Sequence, residues 1–353
     1  MTPQEEVLSA YDLKKDEIEI ERLNNGLINS TWQINKGNTR YILQKVNAAI
    51  FKKPEAIAYN VRLIADYLSK HFPGYLFVAP VKTRDNEDLA HLNGTGYYRL
   101  IPFVDKSVAI TTVEKPKQAF EAARKFGEFT MLLSAFPVRQ LQITLPDFHN
   151  LSLRYKQFLQ SLNTPNTSRL HQSKELIDFM TGNKDIVNTY ENILQNPSFK
   201  LRVTHHDTKI SNVLFDKDDK GLCVIDLDTV MPGYFISDVG DMMRTYLSPV
   251  NEEEKDFSRI EVREEYFLSI WEGYMSQMKE ELNNEEKGHF MYAGKFMIYM
   301  QALRFLTDHL NNDIYYGAKY EGQNFVRAGN QVILLQRLAE KEKVLEEVIK
   351  YKQ

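Results

Sequence analysis

The chain opens with short segments in which apolar and polar residues alternate, a period of two that predicts β-strands. A helix interrupts them after Pro54, where Ile57, Val61, Ile64 and Leu68 recur along one face. The first hundred residues are thus predicted to form a small sheet with one helix inserted after its third strand. The predicted segments are a helix at 3–14, strands at 17–24, at 77–81, at 97–101 and on both sides of a turn at 36–38, and a turn at 24–30.

Helical spacing of apolar residues dominates from residue 115 onward. One hairpin interrupts it, because the apolar runs VLF at 213–215 and LCVI at 222–225 flank the polar turn DKDDKG. The pattern predicts an α+β fold with two lobes, a sheet-rich one at 1–103 and a helical one at 104–353, linked near 102–106. The predicted helices are at 115–134, 149–162, 171–181, 184–195, 238–247, 252–281, 285–310 and 323–350.

Composition agrees with a folded chain and, apart from a local basic patch, argues against two classes of partner. At about 100–200 residues per domain, the 353 residues suggest two domains or lobes. The 44 Lys and Arg against 48 Asp and Glu leave no basic excess for nucleic acid or an anionic membrane. The single cysteine, Cys223, lies in a strand-like run and is predicted to be a buried thiol. No leader-like N-terminus and no long apolar run is present, which predicts a cytoplasmic protein.

Polar residues that could carry chemistry are concentrated at 203–230, around the hairpin. His205, Asp207, Lys209 and Asn212 have the spacing of the catalytic loop of phosphoryl-transfer enzymes. Asp207 would accept the proton of an attacking hydroxyl, and Lys209 would place a cation near the transferred phosphoryl group. Asn212 and Asp226 would hold Mg²⁺, which prefers hard oxygen ligands. Taken singly, each residue fits a turn or helix cap better than a catalytic role, and only the whole string favours kinase chemistry.

Three groups of segments resemble known small-molecule kinases. They are GLINSTW with YILQKVN and IFKKP, HHDTKISNVLF with VIDLDTVMPG, and RFLTDHLNNDIYY with QNFVRAGNQ. The hairpin resembles the aminoglycoside phosphotransferase and choline kinase family, and the three groups together resemble its N-acetylhexosamine 1-kinases. This resemblance implies the two-lobed protein-kinase-like fold. It also implies ATP and Mg²⁺ as cofactors and transfer of the γ-phosphoryl to the anomeric hydroxyl of GlcNAc or GalNAc.

The resemblance implies a nucleotide site in the N-terminal lobe, with one departure from the kinase pattern. Where the phosphate-binding lysine is expected, strand alternation in YILQKVN places Gln44, with Asn60 on the next helix as its neutral partner. Lys45 would serve instead after a bulge. The hinge that meets adenine would lie at 98–103. The predicted nucleotide-binding residues are Gly26, Asn29, Ser30, Gln44, Lys45, Arg99 and Ile101.

The acceptor site is predicted from two separate parts of the chain. Arg304 and Asp308 stand four apart on a predicted helix, as a surface ion pair or as part of a ligand site. Asp238 is predicted mainly as a helix N-cap, with bracing of the catalytic loop as the alternative. Resemblance to the sugar kinases implies that Arg304 and Tyr315 lie at the hexose site. The other predicted substrate-binding residues are Asp207, Asp228 and Thr229. For Asp228, a metal contact or hydrogen bonds from backbone N–H groups of its turn are the alternatives.

Other functions remain open at this stage. An aminoglycoside, choline or another amino alcohol could be the acceptor in the same catalytic hairpin. Asp226-Leu227-Asp228 has the D-x-D form of nucleotide-sugar glycosyltransferases. The absent lysine suggests a sugar-sensing pseudokinase as a third alternative. The sequence gives no information on oligomeric state.

Overall fold

Two lobes of different secondary structure make up the chain, whose computed structural model describes residues 2–23, 29–163 and 166–352. The N-lobe consists of α1 (Pro3–Ser9), β1 (Glu19–Leu23), β2 (Ser30–Lys36), β3 (Thr39–Lys45), α2 (Pro54–His71), β4 (Ala90–Leu92) and β5 (Gly96–Pro102). Its strands form one antiparallel sheet in the order β1-β2-β3-β5-β4. The predicted sheet with a helix after its third strand is therefore confirmed.

The two faces of this sheet carry different residues, because successive side chains of a strand point to opposite sides. On one face, Leu43 and Tyr98 join α1 in a small apolar core. Lys45 follows Leu43 by two residues, pairs with Tyr98 in the register and lies over its ring. Gln44 and Arg99 stand directly opposite each other in β3 and β5 and project from the other face.

The C-lobe is mostly helical and contains two small sheets. One has the three strands Val108–Ala109, Val213–Phe215 and Gly221–Val224 in that order, and the other pairs Met231–Gly233 with Arg202–Thr204. Its elements are β6 (Val108–Ala109), α3 (Pro116–Leu132), α4 (Leu151–Ser161), α5 (Thr167–Gln172), α6 (Lys174–Gly182), α7 (Asp185–Gln195), β7 (Arg202–Thr204), β8 (Val213–Phe215), β9 (Gly221–Val224), β10 (Met231–Gly233), α8 (Phe235–Tyr246), α9 (Glu264–Met278), α10 (Asn284–Gly288), α11 (Phe290–Leu310) and α12 (Gln323–Tyr351). The predicted hairpin is confirmed as β8–β9.

Helix α11 is the centre of the C-lobe core, since apolar side chains on all its sides are buried. Helix α8 packs against it so closely that a Cβ added to Gly240 would collide with the carbonyl of Ala293. This packing fixes α8, which carries two carboxylates toward the catalytic loop. In the described ranges, no helix has the length and apolar character required to cross a membrane.

Several predicted boundaries were wrong for identifiable reasons. Residues 77–81 form no strand: Pro80 has no N–H to donate, and Val81 makes only an isolated bridge to Leu100. The strand that completes the sheet is instead β4, in a segment that was predicted to be a loop. The helix predicted at 252–281 begins only at Glu264. Helix α8 begins at Phe235, so Asp238 lies in its first turn and is not its N-cap.

The division after residue 103 remains a proposal. It is supported by the connectivity, because β5 ends at Pro102 and the next strand, β6, pairs with β8 of the C-lobe.

Candidate active site

The loop before β8 brings together the residues of the predicted catalytic string. Lys209 Nζ lies 2.8 Å from Asp207 Oδ2. The amide of Asn212 donates to the carbonyl of Asp207 at 2.8 Å, and the Ile225 N–H donates to the carbonyl of Asn212 at 2.8 Å. These bonds place Asp226, the next residue along the chain, beside the loop. The structure therefore brings together all four predicted catalytic and metal-binding residues.

Buried carboxylates of α8 hold this loop through its backbone. Asp238 accepts hydrogen bonds from the N–H groups of His205 and His206, at 3.0 and 2.7 Å. Asp241 accepts from the N–H of Thr208 at 2.8 Å. The Asp238 role is the alternative that the sequence favoured less, whereas the role of Asp241 was missed. Both residues follow the catalytic string by some thirty positions, so only the fold reveals the contact.

Burial sets the charge state of the site. It raises the pKa of Asp238 to about 7, despite the two backbone donors that lower it. It also raises the pKa of Asp226 to about 6, and the neighbouring carboxylates of Asp228 and Asp207 add to this shift. Burial alone would lower the pKa of Lys209, but Asp207 and Asp226 raise it, so Lys209 remains a cation.

Asp226 has the properties of a carboxylate that can bind a cation. It follows β9 in the left-handed conformation, with φ of 59°. Within the described residues, no group donates a hydrogen bond to its carboxylate or to the side-chain oxygen of Asn212. No cluster of three or more His, Cys, Asp or Glu in the described chain forms a metal cage. Two oxygen ligands, completed by phosphates and water, nevertheless fit Mg²⁺.

The side chains of Asp228 and Thr229 bond to other parts of the protein. Asp228 forms a buried ion pair with Arg99 and accepts a hydrogen bond from the amide of Asn29 at 2.7 Å. Both partners belong to the N-lobe. The hydroxyl of Thr229 donates to the carbonyl of His205 at 2.7 Å. The predicted substrate contacts of these two residues are thus replaced by contacts within the protein.

The side chains of Gln44 and Asn60 do not form the expected pair. Asn60 instead donates to the carbonyls of Gln142 and Val230, at 2.8 and 3.0 Å, and accepts from the N–H of Gln142 at 2.8 Å. Both N–H groups of its amide are therefore in use, and Gln44 instead accepts from Arg99 Nε at 2.9 Å. Lys45 lies on the far face of the sheet, away from this cluster, so its predicted phosphate contact is not supported.

The other residues that were predicted to bind the nucleotide lie in different places. Gly26 lies outside the described residues. Asn29 is buried, with its side-chain oxygen 3.0 Å from the N–H of Asn47. Ser30 is the exposed first residue of β2. Ile101 is half-buried on β5, two residues after Arg99 and on the same face.

A cavity of about 340 Å³ lies between α4 and the end of α11. Arg304 lines it and donates to Gln301 at 3.1 Å and to the hydroxyl of Tyr315 at 3.4 Å. Asp308 does not pair with Arg304. It accepts instead from the N–H groups of Tyr315 and Tyr316, at 2.7 and 2.9 Å, and so fixes the loop after α11. Arg154 adds a second cation to the wall.

His149 lies beside the catalytic loop. Its ring lies 5.3 Å from that of His206. Burial first, then His206, and then the arginines at 304, 244 and 154 hold the pKa of His149 well below its usual value.

One family model matches more than half of the chain. It is described as APH, phosphotransferase enzyme family, and it covers residues 19–269, which include β1 to β5, the catalytic loop and α8.

Solved structures of small-molecule kinases are similar over nearly the whole chain. A microcompartment-associated aminopropanol kinase has a TM-score of 0.66 at 14% identity, covering 97% of both chains. An amicoumacin kinase in complex with AMP-PNP, Ca²⁺ and Ami has a TM-score of 0.63 at 13% identity, covering 95% of this chain and 92% of its own. An ethanolamine kinase from Plasmodium vivax has a TM-score of 0.55 at 16% identity, covering 91% and 85%. At such identities they show the shared protein-kinase-like fold.

Proposed function

The chain belongs to the phosphotransferase enzyme family, and from this premise we propose that it is an ATP- and Mg²⁺-dependent sugar kinase. Its reaction would transfer the γ-phosphoryl group to the anomeric hydroxyl of an N-acetylhexosamine. The observation that carries the choice of acceptor is the cavity at α11, where two arginines face the space and the nearby carboxylate of Asp308 is already used by backbone N–H groups.

Asp207 would accept the proton of the attacking hydroxyl, because it is the only carboxylate of the loop itself and is half-buried. Lys209, beside it, would neutralise charge on the transferred group. Asn212 and Asp226 would hold Mg²⁺, which when bound neutralises the phosphate oxygens. The amicoumacin kinase, whose fold is similar, binds AMP-PNP, and this supports ATP as the phosphoryl donor.

The charge of the cavity separates a sugar from an amino alcohol. A cationic acceptor needs an unpaired carboxylate or an aromatic cage near its ammonium group. Here the side chains of Arg154 and Arg304 would repel a cation, whereas their N–H groups can donate to hydroxyl and carbonyl oxygens. The ring of Tyr315, which is 71% exposed, could pack against the face of a sugar.

A panel of free hexoses, N-acetylhexosamines, aminoglycosides and amino alcohols with ATP and Mg²⁺ tests the proposal. Phosphorus NMR of the product distinguishes a 1-phosphate from a 6-phosphate. We expect a 1-phosphate from GlcNAc or GalNAc, with amino alcohols turned over at least tenfold more slowly in kcat/KM. A preference for an amino alcohol would overturn the assignment of the acceptor. Hydrolysis of a nucleotide-sugar without ATP would overturn kinase chemistry.

A further inference from the structure

We propose that Arg99, on β5, supplies the phosphate-binding cation that kinases ordinarily take from a lysine on the third strand, and that Asp228 is its counter-ion. This inference rests on the proposed function, since it concerns the site for ATP. It replaces both alternatives, Gln44 and Lys45, that the sequence offered for this task.

The usual position of the lysine holds a neutral side chain. Gln44 projects from the face of the sheet that carries Arg99, toward the C-lobe. Lys45, one residue later, belongs to the face that packs on α1, and its Nζ lies 6.0 Å from the centre of the Tyr98 ring. The C-terminal end of the third strand, which the structure describes in full, therefore has no cation that points into the cleft.

Arg99 restores the missing charge from the neighbouring strand. It is the register partner of Gln44 in the β3–β5 ladder, so the two side chains leave the sheet at the same place. Its Nε donates to Gln44 Oε1 at 2.9 Å, which fixes the plane of the guanidinium group. Arg99 is only 4% exposed, and a buried arginine needs a partner of opposite charge.

Asp228 provides that opposite charge from the metal-binding segment. Its carboxylate, 2% exposed, pairs with Nη1 of Arg99 and accepts from Asn29 at 2.7 Å. In kinases the counter-ion is a helix glutamate, but here Asn60 of α2 is fully committed to backbone groups. Compared with other kinases, both members of the ion pair thus occupy different positions. The cation is on β5, and the anion is two residues after Asp226.

The guanidinium group retains capacity for a phosphate. Arginine has five N–H donors in a planar fork that matches phosphate oxygens. The bonds to Gln44 and Asp228 use Nε and Nη1, and no residue in the described ranges accepts from Nη2. Asp228 holds Arg99 beside the segment that carries the proposed metal ligand Asp226, two residues earlier in the chain. Metal and cation would meet the same phosphate chain.

The test moves the charge back to the third strand. Calorimetry without any acceptor measures the Kd for Mg·ATP and for adenosine in wild type, in Arg99→Gln and in the double variant Arg99→Gln with Gln44→Lys. We expect Arg99→Gln to weaken Mg·ATP at least thirtyfold and adenosine less than twofold. The double variant should have a Kd for Mg·ATP no more than about threefold above that of wild type, because the introduced lysine would extend from the position directly opposite residue 99.

Controls separate a phosphate contact from a structural ion pair. Arg62→Gln removes another N-lobe arginine, one on α2 that pairs with Asp88, and should leave both Kd values unchanged. If Arg99→Gln does not fold, Arg99→Gln with Asp228→Asn leaves a neutral buried pair and the same expectation applies. Equal loss of adenosine and Mg·ATP, or loss of Mg·ATP in Lys45→Gln instead, overturns the proposal. Failure of wild type to bind Mg·ATP at all overturns the proposed function itself.

Discussion

The catalytic loop and the cavity at α11 are built in opposite ways. The loop is held by buried carboxylates, Asp238 and Asp241, which accept hydrogen bonds from its backbone. The cavity is lined by side chains such as Arg304 and by an exposed turn that carries Tyr315. Backbone contacts through buried groups leave little room for change, whereas side chains on an exposed rim can be exchanged. The difference suggests that the transfer chemistry is fixed and the choice of acceptor adjustable.

The largest effect should come from Asp207, the loop residue that we propose accepts the proton of the reacting hydroxyl. We expect Asp207→Asn to lower kcat by roughly 10²–10⁴-fold, the usual contribution of a general base. Its melting temperature should remain close to that of wild type, since the side chain is half-buried and, among the described residues, hydrogen-bonds only with Lys209. Stopped assays of phosphorylated product measure the loss. Turnover near that of wild type would remove Asp207 from the mechanism.

The support behind the loop should show in stability as well as activity. Asp238→Ala leaves two buried N–H groups without an acceptor, and we expect it to lower the free energy of unfolding by roughly 2–4 kcal/mol. Urea denaturation measures this change. The matched control is Asp178→Ala on the exposed face of α6, which should lie within about 0.5 kcal/mol of wild type. Equal stability of the two variants would mean that α8 does not hold the loop.

The cavity should respond differently. We expect Arg304→Ala to raise the KM for the acceptor about 10–100-fold, because a hydrogen bond to a charged group contributes about 1.5–3 kcal/mol. The KM for ATP and the melting temperature should hardly change. Arg337→Ala, at an exposed position of α12, is the control. A variant of Arg304 that loses kcat with unchanged acceptor KM would place it in the catalytic centre and erase the contrast.

The smallest expected effect is a pH dependence of Mg²⁺ binding, which concerns the catalytic loop region and not the cavity. Burial, Asp228 and Asp207 raise the pKa of Asp226 to about 6, while Lys209 and Arg99 oppose the shift. A protonated carboxylate does not bind a metal, so the affinity for Mg²⁺ should fall as pH drops through about 6, up to about tenfold per unit. Titration of kcat/KM with Mg²⁺ between about pH 5 and 8 measures it. A pH-independent Mg²⁺ requirement would contradict this role of Asp226.

The sequence predicted the contacts between residues that are close in the chain and missed those that depend on the pairing of distant segments. His205 to Asn212 and Asp226 lie on one hairpin, so their spacing alone predicted that they meet. The partners of Arg99 could not be predicted. Gln44 meets it only through the β3–β5 register, and Asp228 is 129 residues away in the other lobe. Alternation did place Gln44 on the correct face. Arg304 was placed on the correct helix, but the fold showed that Asp308 serves the backbone of the following turn.

The position of Arg99 opposite Gln44 has an evolutionary consequence. A lysine on the third strand and an arginine on β5 reach the same point, so one could replace the other over time only through a chain that carries both cations or neither. With both, Asp228 and Asn29 would face an excess of positive charge. With neither, the buried carboxylate would lose its ion-pair partner. Relatives in which Asp228 is replaced should therefore also differ at 44 or 99, which makes these three positions a marker for a branch of the family.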